Sequence, residues 1–253
     1  MIFDSHAHYD DSQFDEDRDS LLSSTLKEKE VIGIINCSSS FSSIAKTLAL
    51  CDKFDMVFGS VGIHPQDANE IPSNYLDAIK NSFANKKIVA IGEIGLDYYY
   101  QDSCPRDIQK RVFEEQLKLA KELQKPIIVH DRDAHQDTLD YLKKHSLNGV
   151  IHCFSGSSEM ALEVVKLGYY IGLGGVVTFN NARHSVEVAK AIPLERILLE
   201  TDSPYLSPVP NRGKRNDSSN IIYTATKIAQ IKDCSLSEVL EQSRNNVKKL
   251  FGI

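Results

Sequence analysis

The feature that most constrains this chain is a set of short apolar runs, each too brief for a helix and each bounded by Gly, Pro, Asp or Asn, recurring from end to end. Eight are found, at 2–5, 31–37, 56–63, 88–94, 126–130, 149–154, 169–173 and 196–201. Continuous rather than alternating hydrophobicity marks strands buried on both faces, as in parallel sheets. Between them lie stretches of helical spacing. Val112, Gln116, Leu119 and Leu123, for example, share one face of the segment that begins near Arg106. Strands alternating with helices imply parallel pairing through right-handed crossovers. Eight such units in 253 residues fit a closed (β/α)8 TIM-type barrel, typically about 250 residues long, better than the alternative, an open flavodoxin-like sheet. The expectation is therefore an α/β chain with one domain over 1–253. One long loop runs from Ser203 to about Ser219, and extra C-terminal helices at 220–231 and 235–251 lie outside the barrel as scaffold. The second of these opens on a Ser235-x-x-Glu238 capping box.

Composition narrows the class of protein. No apolar run approaches the roughly 18 to 20 residues that span a bilayer, so a soluble protein without membrane contact is expected. The start, Met1-Ile2-Phe3-Asp4-Ser5-His6, has no basic segment leading into an apolar one, and a cytoplasmic location follows by default. Five scattered cysteines without a C-x-x-C pair argue against a disulfide framework and against a thiolate zinc site; they read as reduced, mostly buried thiols. A formal charge of −6 gives no global basic footprint of the sort nucleic-acid binders carry. Any attraction for a phosphate substrate must be local.

Residues with metal-ligand chemistry fall where the barrel would place an active site. His6 and His8 are two apart at the end of the first strand, so both imidazoles face the same side. Alone, this H-x-H pair is better explained as buried, hydrogen-bonded histidine. Glu93 then ends the fourth strand, His130 the fifth, His152 lies near the end of the sixth, and Asp202 follows the eighth. Core packing does not explain five strands delivering such side chains to one C-terminal rim. Four neutral imidazoles and two carboxylates around two divalent ions leave a charge of about +2, which would attract an anionic ester.

At these residues the chain resembles the TatD family of metal-dependent deoxyribonucleases, within the wider amidohydrolase-like barrels. The resemblance runs end to end. It is carried by Ser5-His6-Ala7-His8-Tyr9-Asp10, Gly62-Ile63-His64-Pro65, Gly92-Glu93-Ile94-Gly95-Leu96-Asp97-Tyr98-Tyr99, His130-Asp131-Arg132-Asp133-Ala134, His152-Cys153-Phe154-Ser155-Gly156 and Thr201-Asp202-Ser203-Pro204-Tyr205-Leu206. It implies a two-metal site in which His6, His8 and Asp202 hold one ion, His130 and His152 the other, and Glu93 bridges them. It also implies nuclease activity, most often magnesium-dependent 3′ to 5′ exonuclease action on single-stranded DNA, sometimes action on RNA, and in some cases deacylation of D-aminoacyl-tRNA. Imidazole-rich sites prefer zinc or manganese, whereas magnesium favours oxygen ligands. The chain departs from the family pattern at Gln66, where a histidine is expected, and at Asp217-Ser218, where Glu-Pro is expected; both bear on substrate preference.

The expected mechanism is in-line attack on a phosphodiester by a metal-activated water, with Glu93 and Asp202 as catalytic residues and Asp202 serving as ligand and base. Arg212, Lys214 and Arg215, in the long loop, are placed to hold backbone phosphates, and His64, at the end of the third strand, to touch substrate. At most one of Tyr98, Tyr99 and Tyr100 stacks on a base. His135, His145 and His184 fall on predicted helices, where exposure is expected and no role is assigned. A cyclic-amide hydrolase or deaminase is disfavoured because such sites bridge through a carbamylated lysine, and here no lysine stands at a strand mouth. A non-catalytic nucleic-acid module is disfavoured by the intact ligand set.

Overall fold

Segments rich in Ile and Val form the strands in the computed structural model, which describes residues 1–100 and 104–253. They are β1 (Ile2–Ala7), β2 (Val31–Cys37), β3 (Val57–Val61), β4 (Ile88–Asp97), β5 (Ile127–Arg132), β6 (Gly149–Ile151), β7 (Tyr170–Leu173) and β8 (Ile197–Leu199). All eight pair in parallel in sequence order, giving a nearly closed (β/α)8 TIM barrel. Between β1 and β2 lie two single helical turns, α1 (Arg18–Ser20) and α2 (Leu26–Glu28), on either side of a π-helical turn. The crossover helices follow: α3 (Phe41–Lys53), α4 (Tyr75–Ser82), α5 (Arg106–Leu123), α6 (His135–His145), α7 (Ser158–Lys166) and α8 (Arg183–Ala191). α9 (Ile221–Lys232) and α10 (Leu236–Phe251) end the chain, α10 opening on the Ser235/Glu238 capping box. Among the described residues, no helix is long and apolar enough to cross a membrane, and all five cysteines are free thiols, three of them buried.

Two apolar clusters hold the layers together. The larger lies between strands and helices and takes in the face of α5 that carries Val112 and Leu119. The smaller joins Ile35, Val89, Ile128, Val150, Tyr170 and Leu198, one face of strands that are not all neighbours, and therefore fills the barrel interior. Val247 and Phe251 of α10 belong to it, so this helix is more than an outer scaffold. Period-two alternation carries the interior face onward, from Ile128 to His130 and Arg132, from Val150 to His152, and from Leu198 to Glu200. The interior is thus apolar below and polar toward the C-terminal rim.

Strand ends differ from the sequence reading for identifiable reasons. β8 stops at Leu199 because the Thr201 N–H and hydroxyl both donate to the buried Asp4 carboxylate (3.0 and 2.5 Å) rather than continuing the ladder. Closure of the barrel then runs beyond β8: Asp202 N–H donates to the His6 carbonyl (3.0 Å) and His8 N–H to that of Ser203 (2.7 Å). β6 ends early, with Cys153 at φ 41° two residues past Ile151. β4 and β5 instead run on past their ligand-type residues, to Asp97 and Arg132. This depends on Gly95, whose φ of 149° is left-handed and at which a Cβ would overlap the His130 carbonyl oxygen. Gly95→Ala should therefore cost about 3 kcal/mol or more in urea unfolding; an unchanged midpoint would show that β4 and β5 do not depend on this close approach.

Candidate metal centre

The top of β4 sets the geometry. Its ladder with β5 is irregular between Ile91 and Ile94, and that break turns Glu93 into the barrel mouth, as ladder irregularities do elsewhere next to active sites. One Glu93 oxygen, Oε1, lies 2.8 Å from His130 Nδ1 and 2.7 Å from His152 Nε2. The other, Oε2, lies 3.4 Å from His6 Nε2 and 3.5 Å from His8 Nε2. Asp202 Oδ1 closes the second group, 3.6 Å from His6 Nε2 and 3.3 Å from His8 Nε2. The rings of His6 and His152 stack at 3.9 Å, so the two groups share a wall. The structure brings together all six residues expected from the sequence, although Glu93 and His130 stand within their strands and Asp202 stands three residues beyond β8.

The protonation logic of the centre favours cations. His8 Nδ1–H donates to the Cys37 carbonyl (2.8 Å), which leaves its Nε2 lone pair facing inward. His130 Nε2–H donates to Asp97 (3.2 Å), so its Nδ1 lone pair faces inward too. Yet His8 Nε2 is 3.1 Å from His6 Nε2, and His130 Nδ1 is 3.2 Å from His152 Nε2. Ring nitrogens this close share either a proton, carried on the Nε2 of His6 or His152, or a metal ion. The groups His6, His8, Glu93 and Glu93, His130, His152 could each hold an ion, as could His6, His152, Asp202 and His64, Asp97, His130. Imidazole with carboxylate is the donor chemistry of zinc, manganese and related ions.

The same field shapes the ionisation of each group. Burial opposes charge on His8, but the hydrogen bond to Asp202 and the charge of Glu93 lift it to about 10; His130 rises to about 9 in the same way, through Asp97 and Glu93. His6 falls to about 4 under burial and the neighbouring His152. Burial would raise Glu93, but the surrounding histidines hold it well below the ordinary range. Asp202 is likewise held low by His8 against its burial.

Other expectations are partly revised. His64 is in the centre, its Nε2 3.7 Å from Glu93 Oε1 and its ring edge-on to His130 at 4.3 Å. Gln66, the departure from the family pattern, donates to Asp97 (2.9 Å). Arg212 and Arg215 do not line the cleft of about 590 Å³ over the centre. Arg215 forks onto Asp17 (2.8 and 2.6 Å) and lies over Phe14, and Arg212 lies over Phe179. Sequence position past the last strand could not reveal these local partners. Of the tyrosines, Tyr98 is packed and bonded to Asp137, Tyr99 is exposed, and Tyr100 lines the cleft. His184 is exposed as expected and His135 half-buried, but His145 is buried against Glu114 (3.1 Å). Three residues went unassigned from sequence. Asp97 orients His130, and Arg132 lines the cleft. Glu200, two positions past Leu198 and so on the interior face, is buried 3.9 Å from His152 Nδ1, where burial raises it to about 8. Strand periodicity was the signal available for all three.

Because Asp97 keeps the His130 lone pair pointing inward, Asp97→Ala should weaken divalent-metal affinity about 10- to 100-fold in a competition titration against a chelating indicator. An affinity within about twofold of the parent would show that His130 needs no such support.

Comparison with known proteins places this geometry. The family model described as TatD related DNase matches residues 3–252. The chain is 41% identical to the uncharacterized metal-dependent hydrolase YabD of Bacillus subtilis over the whole of both chains. It is 35% identical to YcfH of Escherichia coli K12, another protein named as an uncharacterized metal-dependent hydrolase, over 100% of this chain and 96% of that one. Among solved structures, the TatD homolog YjjV of E. coli K12 superposes with a TM-score of 0.93 at 30% identity, covering 100% of this chain and 98% of that one. A TatD family hydrolase from Entamoeba histolytica gives 0.88 at 25% identity, with 99% and 97% covered. Matched along its length in both sequence and barrel geometry, the chain belongs to the TatD family of metal-dependent hydrolases.

Proposed function

We propose that this protein is a two-metal phosphodiesterase acting on nucleic acid, a deoxyribonuclease that removes nucleotides from the 3′ end of single-stranded DNA in the cytoplasm. The observation that carries the reading is the division of Glu93: one oxygen faces His130 and His152, the other His6 and His8, which Asp202 also faces. In this assignment His6, His8 and Asp202 hold one divalent ion, His130 and His152 the other, and Glu93 both. When bound, the ions supply Lewis-acid polarisation and make water nucleophilic near neutral pH. The imidazole-rich donor set favours zinc or manganese as resident ions over magnesium.

The protein's own groups divide the remaining work. Asp202 is held as a carboxylate and stands at the exposed edge of the centre, so it can take a proton from attacking water. Glu93, fully enclosed, keeps both donor groups in register. His64 faces the same space and is suited to touch a substrate or departing phosphate. Arg212 and Arg215 are assigned no contact at the metal centre, since neither lines the cleft and Arg215 is forked onto Asp17. No lysine lines the cleft among the described residues, which speaks against a carbamylated bridge and cyclic-amide chemistry.

The test is activity of chelator-stripped protein on single-stranded DNA, duplex DNA, RNA and acylated tRNA, with zinc, manganese and magnesium restored one at a time. Single-stranded DNA should be shortened from its 3′ end only when metal is restored. Deacylation of tRNA with every polynucleotide left intact would replace the nuclease reading with an ester hydrolase on the same centre.

A further inference from the structure

β5 places a second group on the face that carries His130. Arg132 is two residues on, hence on the same side and about 6.7 Å nearer the mouth. That step is of the same order as the separation of neighbouring phosphates in an extended strand. Arg132 lines the cleft together with His130 and Tyr100. Its guanidinium lies 3.9 Å from the Tyr99 ring centroid and 5.1 Å from that of Tyr100, and the two rings meet edge-on at 4.9 Å. Stacking on a ring engages the face of a guanidinium and leaves its in-plane N–H donors free to fork onto an oxyanion. The carboxylate opposite Arg132 in the β4–β5 register, Asp97, is turned to His130 and Gln66 instead.

Apart from the histidines of the centre, the other ionisable groups of the lining are mostly carboxylates. Among the described residues that form the cleft, Arg132 is the only arginine or lysine, whereas Asp10, Asp11 and Asp67 stand around the mouth. A long polyanion laid across this mouth would meet one fixed cation and several carboxylates.

We propose that Arg132, braced by Tyr99 and Tyr100, holds the phosphate next to the one at the metal centre, so that the cleft recognises two consecutive phosphates of a strand and grips no others. The inference rests on the phosphodiester reading above and names its second subsite. Tyr99 is exposed and offers ring surface on which the intervening base can stack. Monoesters gain nothing from Arg132, and strands longer than two phosphates gain little more.

The experiment measures binding apart from turnover. Manganese-loaded protein is titrated calorimetrically with trithymidylate carrying two charged, hydrolysis-resistant phosphorothioate linkages, and with the analogue in which one linkage is a neutral methylphosphonate. The parent protein should prefer the doubly charged ligand about 10- to 100-fold, as a forked charge-assisted hydrogen bond provides. Its affinity for that ligand should fall more steeply with salt, by a slope of about 0.7. In Arg132→Ala, checked for unchanged metal content, the preference and the extra slope should both collapse; Arg132→Lys should recover part of each. Equal binding of the two ligands by the parent, or a preference that survives Arg132→Ala, overturns the proposal. An Arg132-dependent preference in a protein that cuts no diester-linked strand leaves the subsite standing and removes the hydrolytic reading instead.

Discussion

One carboxylate governs this structure. Glu93 presents its two oxygens to two separate sets of imidazoles, in a space where ring nitrogens approach each other at 3.1 and 3.2 Å. Imidazoles and carboxylates packed this densely away from bulk water need protons or cations between them, because burying unpaired polar groups costs several kcal/mol. The lifting of His8 and His130 to about 10 and 9 expresses the same field through protons. Divalent metal would satisfy it more fully, and imidazole with carboxylate is a donor set that such ions prefer.

The barrel makes this arrangement affordable by separating its roles along each strand. Residues such as Ile128, Val150 and Leu198 fill the lower interior, and the next residues on the same faces, His130, His152 and Glu200, form the polar top. Ladder irregularities in β1 and β4 release His6 and Glu93 from strict alternation. Asp4 ties the seam: it accepts from Thr201, Ser218 and the His6 backbone, so the strand bearing His6 and His8 is fixed to the segment bearing Asp202. Asp202 at φ 59° and Cys153 at φ 41° mark where the backbone is bent to aim the Asp202 and His152 side chains.

Much of this was legible in the sequence. Eight apolar runs gave the strand count and order, and the placement of His6, His8, Glu93, His130, His152 and Asp202 at or near strand ends pointed to one C-terminal rim, where the structure brings them together. What the sequence hid depended on tertiary partners. It could not show that Asp17 and Phe14 occupy Arg215, that Glu114 buries His145, or that α10 sends Phe251 into the interior cluster. Asp97 and Arg132 lay within quoted motifs, but their roles depend on β4 and β5 continuing past Glu93 and His130, which rests on the backbone approach at Gly95. The acidic mouth was invisible for a different reason: the adjacent Asp10 and Asp11 lie on the loop after β1 and Asp67 on the loop after β3, and the two loops come together only when the barrel forms.

The central claim is that Glu93 is shared by two ions, and the most direct measurement is anomalous diffraction from crystals soaked in manganese or zinc and recorded at the absorption edge of the metal. The account predicts two peaks, one among His6, His8 and Asp202 and one beside His130 and His152, each within bonding distance of a different Glu93 oxygen. A single peak, or two peaks of which one makes no contact with Glu93, would contradict it.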